Sequence, residues 1–290
     1  MQVPVISWHA MTKKYLDSVR RTLSRRRGSL ERSRMALVEF IAAQLDLAEG
    51  KFDAAEARLL EAGRLTKSER SARTHIEINL PLFGLYREIG DSKRAVELAR
   101  DWLKRMGIWE GMDTSQDFSV YAWRTLLHEG AMTRAEFAKK RTEWLMAPRQ
   151  IEPNKQLGAW VRAYVSGINN KEEADEALAA MTSVPQAPLE QYVRVEPGEI
   201  AKVYFLAGIY DKALSGLRLA TNRCGEFRNP TWFIQLRLAL GQTLEKTGDK
   251  IGACESYRYV LDRWGHAQPR SVTAEKAEAL AKALNCPVEG

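Results

Sequence analysis

Four histidines, His9, His75, His128 and His266, are scattered along the 290 residues, and Cys224, Cys254 and Cys286 stand 30 and 32 positions apart. Metal and dithiol chemistry needs ligands at short, fixed spacings, and no C-x-x-C or H-E-x-x-H occurs. An odd set of widely spaced thiols reads as reduced, structural cysteines, with neither a disulfide framework nor a zinc site expected. Phosphate-cradling glycine loops (GxGxxG, GxxxxGK[ST]) and the GxSxG nucleophile turn are equally missing. Asp117-Phe118-Ser119 is the nearest approach to a metal-binding Asp-Phe-Gly, and it reads as the entrance to a helix. The acid pair Glu172/Glu173 is placed on a solvated helix start, where carboxylates complement the helix dipole. The expectation is a chain without catalysis, cofactor or metal.

Eight tryptophans (8, 102, 109, 123, 144, 160, 232 and 264) are the other candidates for ligand contact. Trp102, Trp144 and Trp264 fall at similar late positions in successive segments, as packing residues do; Trp8, Trp109 and Trp160 are not assigned. The net charge of +7 is local. Residues 1–34 hold nine Lys or Arg and two acids, and the remaining chain holds 35 of each sign. No apolar run approaches the ~18 residues of a membrane span, and Met1–Met11 lacks the character of a secretory signal. A cytoplasmic protein is expected.

What could position these residues is a repeat. Gly50-Lys-Phe-Asp-Ala-Ala55, Gly90-Asp-Ser-Lys-Arg-Ala95, Gly130-Ala-Met-Thr-Arg-Ala135, Gly208-Ile-Tyr-Asp-Lys-Ala213 and Gly248-Asp-Lys-Ile-Gly-Ala253 share one pattern, mostly 40 residues apart. A sixth unit is expected near residue 170, where Asn169 or Asn170 stands in for glycine. Glycine ends one helix in a left-handed conformation, and the alanine five positions on lets the next helix approach closely. Apolar residues at helical spacing flank each turn, and Thr133 with Glu136 forms a capping-box signature. Thr273 to Leu284 reads as a final helix with a polar outer face, closing the apolar end of the array.

Ala201, Tyr204, Gly208, Tyr210, Ala213, Leu217 and Ala220, followed by Leu240, Gly241, Leu244, Gly248, Ala253 and Tyr257, resemble the consensus of the tetratricopeptide repeat over about residues 35–265. HEAT and armadillo repeats, with periods of about 40–47, are the rival. The resemblance implies an all-α, right-handed α-solenoid of about six helix-turn-helix repeats with terminal capping helices: a basic segment at 1–34, the superhelix at 35–268 with turns near 50, 90, 130, 170, 208 and 248, and a capping helix and tail at 269–290. In addition, Tyr257–Gly265 and Ala267–Ala274 resemble the C-terminal ends of large bacterial Ser/Thr protein kinases with repeat regions. That implies a sensor or docking part of a signalling protein.

In the family the first helices line a concave groove. The corresponding positions here include Phe40, Gln44, Leu80, Gly84, Arg87, Glu88, Val120, Arg124, His128, Lys202, Phe205, Leu238, Gln242 and Glu245. Phe40 and Leu80 stand where a chaperone-type carboxylate clamp would require lysine, which speaks against that role. The basic segment (Arg20, Arg21, Arg25, Arg26 and Arg27), with an apolar stripe of Tyr15, Leu16, Val19 and Leu23, suits a capping helix; an acidic partner, nucleic acid or anionic lipid remains the alternative. Arg26-Arg27-Gly28-Ser29-Leu30 also resembles a substrate site of basophilic kinases. The functional expectation is a scaffold holding a protein or peptide in the groove. The alternatives are a regulatory region of a larger signalling enzyme and a nucleic-acid-binding helical repeat.

Overall fold

The computed structural model describes residues 18, 21, 29–66, 72–106, 117–147, 159–181, 197–222 and 229–287. Of the five arginines Arg20, Arg21, Arg25, Arg26 and Arg27, only Arg21, exposed and helical, falls among these. Arg20, Arg25, Arg26 and Arg27, like Trp8, Trp109 and Cys224, lie outside the described residues. Among the described residues every regular element is helical: α1 (Ser29–Ala48), α2 (Phe52–Leu65), α3 (Ala72–Glu88), α4 (Ser92–Met106), α5 (Ser119–His128), α6 (Arg134–Met146), a π-helical turn (Val161–Val165), α7 (Lys171–Met181), α8 (Pro197–Leu206), α9 (Tyr210–Thr221), α10 (Pro230–Lys246), α11 (Lys250–Trp264) and α12 (Val272–Ala283). None is long and apolar enough to cross a membrane.

The described helices form six hairpins, and five share one turn. Gly50, Gly90, Gly130, Gly208 and Gly248 all have positive φ. In each, the amide after the glycine donates to a carbonyl five residues back, as Asp91 N to Tyr86 O (2.8 Å) and Asp249 N to Leu244 O (2.8 Å). This bond satisfies carbonyls that the helix end would otherwise orphan. In the fourth hairpin the left-handed residue is Gly167 (φ 82°), not Asn169 or Asn170. Asn170 instead caps α7, its side chain accepting from Glu173 N at 3.0 Å. The capping box of Thr133 and Glu136 starts α6.

Packing follows from the small residues after the turns. Ala55, Ala95, Ala213 and Ala253 are fully buried where second helices meet first ones. The third unit departs: Ala135 is exposed, and Phe137 enters the core in its place. Gly241 of α10 lets Tyr257 of α11 lie against the backbone; a Cβ there would sit 2.5 Å from the ring. Trp102, Trp144, Trp160 and Trp264 are all buried.

Each hairpin contacts the next in sequence order, and the sixth returns to the first two, α10 packing on both α1 and α3. The array is therefore closed on itself. The largest core joins both ends of the chain, with Leu47, Phe52, Ala55 and Leu85 packed among Ile234, Leu236, Tyr257 and Trp264. Phe52 meets Trp264 edge-on at 5.3 Å, and Trp264 Nε1 donates to Leu47 O at 2.8 Å. The last described helix, α12, covers the sixth hairpin. It lies on α11 and α10 and delivers Ser271 and Thr273 to Glu88 of α3. The same fold-back joins Cys254 and Cys286 in a disulfide, which corrects the expectation of three reduced thiols.

Candidate functional site

Closure brings the first helices of the second, third, fifth and sixth hairpins toward one interior. On α3, Phe83 stacks edge-on against Tyr121 of α5 at 5.5 Å. One residue later Gly84 faces Thr231 of α10, and Glu88 reaches Gln235 of α10 at 3.1 Å. Arg87 lies four residues after Phe83 and three after Gly84, on the stripe between those two neighbours. On α8, Lys202 places its ammonium 4.9 Å over the Trp232 ring of α10. The charge of Arg87 reaches Lys202, Arg124 and His128.

Arg124 is 1% exposed. It donates to the Ser166 carbonyl and, at 3.0 Å, to the Ala163 carbonyl, oxygens at the end of the π-helical turn. Its Nε lies 3.2 Å from Glu173 Oε1, and the guanidinium stands over Phe137 at 5.1 Å. Burial lowers its pKa to about 10 against the opposing pull of Glu173. Glu173 also meets His128 Nε2 at 3.0 and 3.1 Å and accepts from Asn169 N at 3.0 Å. Burial would raise its pKa. The bond to His128, the charges of His128 and Arg124 and the Asn169 amide outweigh that and hold it at about 2. Burial lowers the pKa of His128, opposed by Glu173. Glu173 is thus a buried hub, not the solvated helix-start carboxylate expected; Glu172 beside it is exposed.

Lys202 is held differently. Burial first, then the charges of Arg87 and Arg124, press its pKa down to about 7, while Glu173 and Glu199 act in the opposite direction. Among the described residues, neither Arg87 nor Lys202 has a carboxylate within ion-pair distance.

Closure also consumes much of the expected groove. Phe40 packs against Ala43, Leu59, Leu82 and Tyr86, and Leu80 against the Phe83–Trp102 core. Gln44, Val120 and Leu238 are buried. Among the described residues, neither polar atom of the Gln44 side chain has a hydrogen-bond partner. Phe205 leans on Tyr210, and Glu245 accepts from Tyr257 Oη at 2.8 Å. Gln242 is half-buried on α10. Glu88 accepts from Ser271 Oγ (2.6 Å), Thr273 N (2.8 Å), Thr273 Oγ1 (2.8 Å) and Gln235 Nε2 (3.1 Å). Burial raises its pKa, and those four donors hold it back. Asp117 opens α5, accepting from Ser119 N at 2.9 Å and from Trp144 Nε1 at 2.6 Å. Glu173 was missed by sequence reasoning, although Asn170-x-x-Glu173 is a capping-box-like spacing that points the carboxylate back toward the chain before the helix.

No family model and no curated protein matches the chain. Among solved structures it aligns with the crystal structure of BtubC (BKLC) from P. vanneervenii, at 17% identity, over 100% of this chain and 95% of that one. The TM-score of 0.32 is too low for that likeness to bear on fold or function.

Proposed function

We propose that the chain is a non-catalytic interaction scaffold of the tetratricopeptide type, holding a protein or peptide partner on the inward side of its first helices. The observation that carries this reading is that the first helices α3 and α8 both pack on α10, Gly84 facing Thr231 and Lys202 lying over Trp232, so that three hairpins share one inward side. Helix-hairpin arrays use such shared inner faces for recognition, because each repeat contributes a few side chains to one continuous surface. With Arg124 committed to carbonyls and Glu173, recognition falls to Arg87 and Lys202, with half-buried Phe205 three residues after Lys202 on α8. The body of the chain holds equal numbers of acids and bases, so binding is expected to be local and only moderately salt-dependent.

The test is affinity capture with the wild type and with the Arg87→Ala/Lys202→Ala pair, sparing Arg124 because of its structural bonds. Partners recovered with the wild type should be lost with the variant at unchanged helicity. Equal recovery would remove the inner face as the binding surface.

A further inference from the structure

We propose that the Cys254–Cys286 disulfide is a redox latch, which a dithiol reductant opens to free α12 from the sixth hairpin and uncover Glu88 of α3. The segment after α11 is held in three ways of unequal strength. At the start of α12, Ser271 and Thr273 donate to Glu88. Along the helix the buried apolar side chains are Ala274 and Ala277, with Leu280 and Ala281 half-buried, while Glu275, Lys276, Glu278 and Lys282 are exposed. Alanine methyls remove little apolar surface from water, so this seat is weak. Past the helix, Asn285 takes a left-handed φ of 52°, and Cys286 N donates to Ala281 O at 2.9 Å. That helix-ending turn brings Cys286 back to Cys254 of α11, 32 positions earlier.

The covalent bond thus closes the far end of a segment whose noncovalent seat is small. A helix of 12 residues frays in water unless it is packed, so α12 depends on that seat and on the bond. The two sulfurs differ in access: Cys254 is buried on α11, and Cys286 is half-buried. A thiolate of the reductant therefore attacks Cys286 Sγ. The S–S bond breaks, Cys286 enters a mixed disulfide with the reductant, and Cys254 leaves as a thiolate that takes up a proton. The reductant's second thiol, giving up its proton, displaces Cys286 as a thiol, and the dithiol departs as its own cyclic disulfide. Two electrons have passed to the protein. Undocking then withdraws the Ser271 hydroxyl and the Thr273 amide and hydroxyl from Glu88, leaving it Gln235 among the described donors. None of this depends on the scaffold reading, since the latch acts within the chain.

The experiment is hydrogen exchange by mass spectrometry on the full chain, oxidised and after dithiothreitol, for wild type, Cys286→Ser and Cys224→Ser. Non-reducing peptide mapping first establishes the Cys254–Cys286 link. Reduction should lower amide protection in α12 by roughly 100-fold, the bias that closing a loop of this length supplies. The Glu88 end of α3 should lose less, and α5–α7 should be unchanged. Reoxidation with oxidised glutathione should restore the protection. Cys286→Ser should match the reduced wild type without reductant and ignore dithiothreitol, and Cys224→Ser should respond as the wild type does. Protection in α12 that survives reduction to within about threefold overturns the latch, because the noncovalent seat then suffices. Protection lost throughout, α5–α7 included, also overturns it, because the bond then staples the whole fold. A missing Cys254–Cys286 link under oxidising conditions, or a response abolished by Cys224→Ser, overturns the assignment of the switch to this pair.

Discussion

At the scale of single residues, two buried carboxylates with opposite surroundings should give the protein an uneven response to pH. Glu173 is held near pKa 2, well under its ordinary 4.5. Its stabilising contribution is complete above pH 4.5 and disappears as the pH falls through 2. His128 is also lowered, so the unfolded chain takes up that proton first, and stability should begin to fall below about pH 6.5. Urea titrations by circular dichroism from pH 7.5 to 3 should show both slopes. Glu173→Gln should flatten the acid limb and cost ~3 kcal/mol at neutral pH by leaving Arg124 uncompensated. Glu88 behaves in reverse. Its raised pKa means the fold favours the protonated form, so its contribution is largest at acid pH and declines as the carboxyl ionises. Glu88→Gln should remove that slope and retain the fold. Glu88→Ala should cost ~3 kcal/mol, because Ser271, Thr273 and Gln235 lose their acceptor.

At the scale of elements, the turns separate two roles of glycine. Gly130 has left-handed φ and open space around it, so Gly130→Ala should cost only ~1 kcal/mol of backbone strain. Gly241 lies within a helix, yet a Cβ there would strike the Tyr257 ring, so Gly241→Ala should cost ~1–3 kcal/mol despite the better helix former. Equilibrium unfolding of the two variants checks the ranking. These local rules are why hairpins were legible in the sequence: glycine, capping residues and buried alanines act within a few residues of one another. The fourth turn escaped because Asn169, Asn170 and Gly167 compete within four positions, and the capping preference of Asn170 won. The site was legible only in part. Arg87, Arg124, His128 and Lys202 were identifiable as inward positions, but which of them pair with Glu173 depends on contacts between residues 45 positions apart. No local pattern encodes that.

At the scale of the whole molecule, closure could not be read from the repeats, since hairpin signatures specify each unit and its neighbour but not the return of the last to the first. The return is fixed by the shared apolar core and by specific polar contacts among the described residues: Trp264 to Leu47, Gln268 N to Gly50 O at 3.3 Å, and the Glu88 cluster. A chain ending before α12 should therefore lose amide protection in α1–α3 as well as in α11 by hydrogen exchange. A linear array would lose it only at the truncated end.

The core shared by Leu47, Phe52 and Trp264 bears on biosynthesis. The first hairpin leaves the ribosome early, with a greasy flank whose cover is encoded more than 200 residues downstream. At ~5–20 residues per second, that flank waits at least ten seconds or so for its complement. Ribosome-bound intermediates of this chain should then recruit holdase chaperones through α1 and α2, and release them only once α11 has emerged.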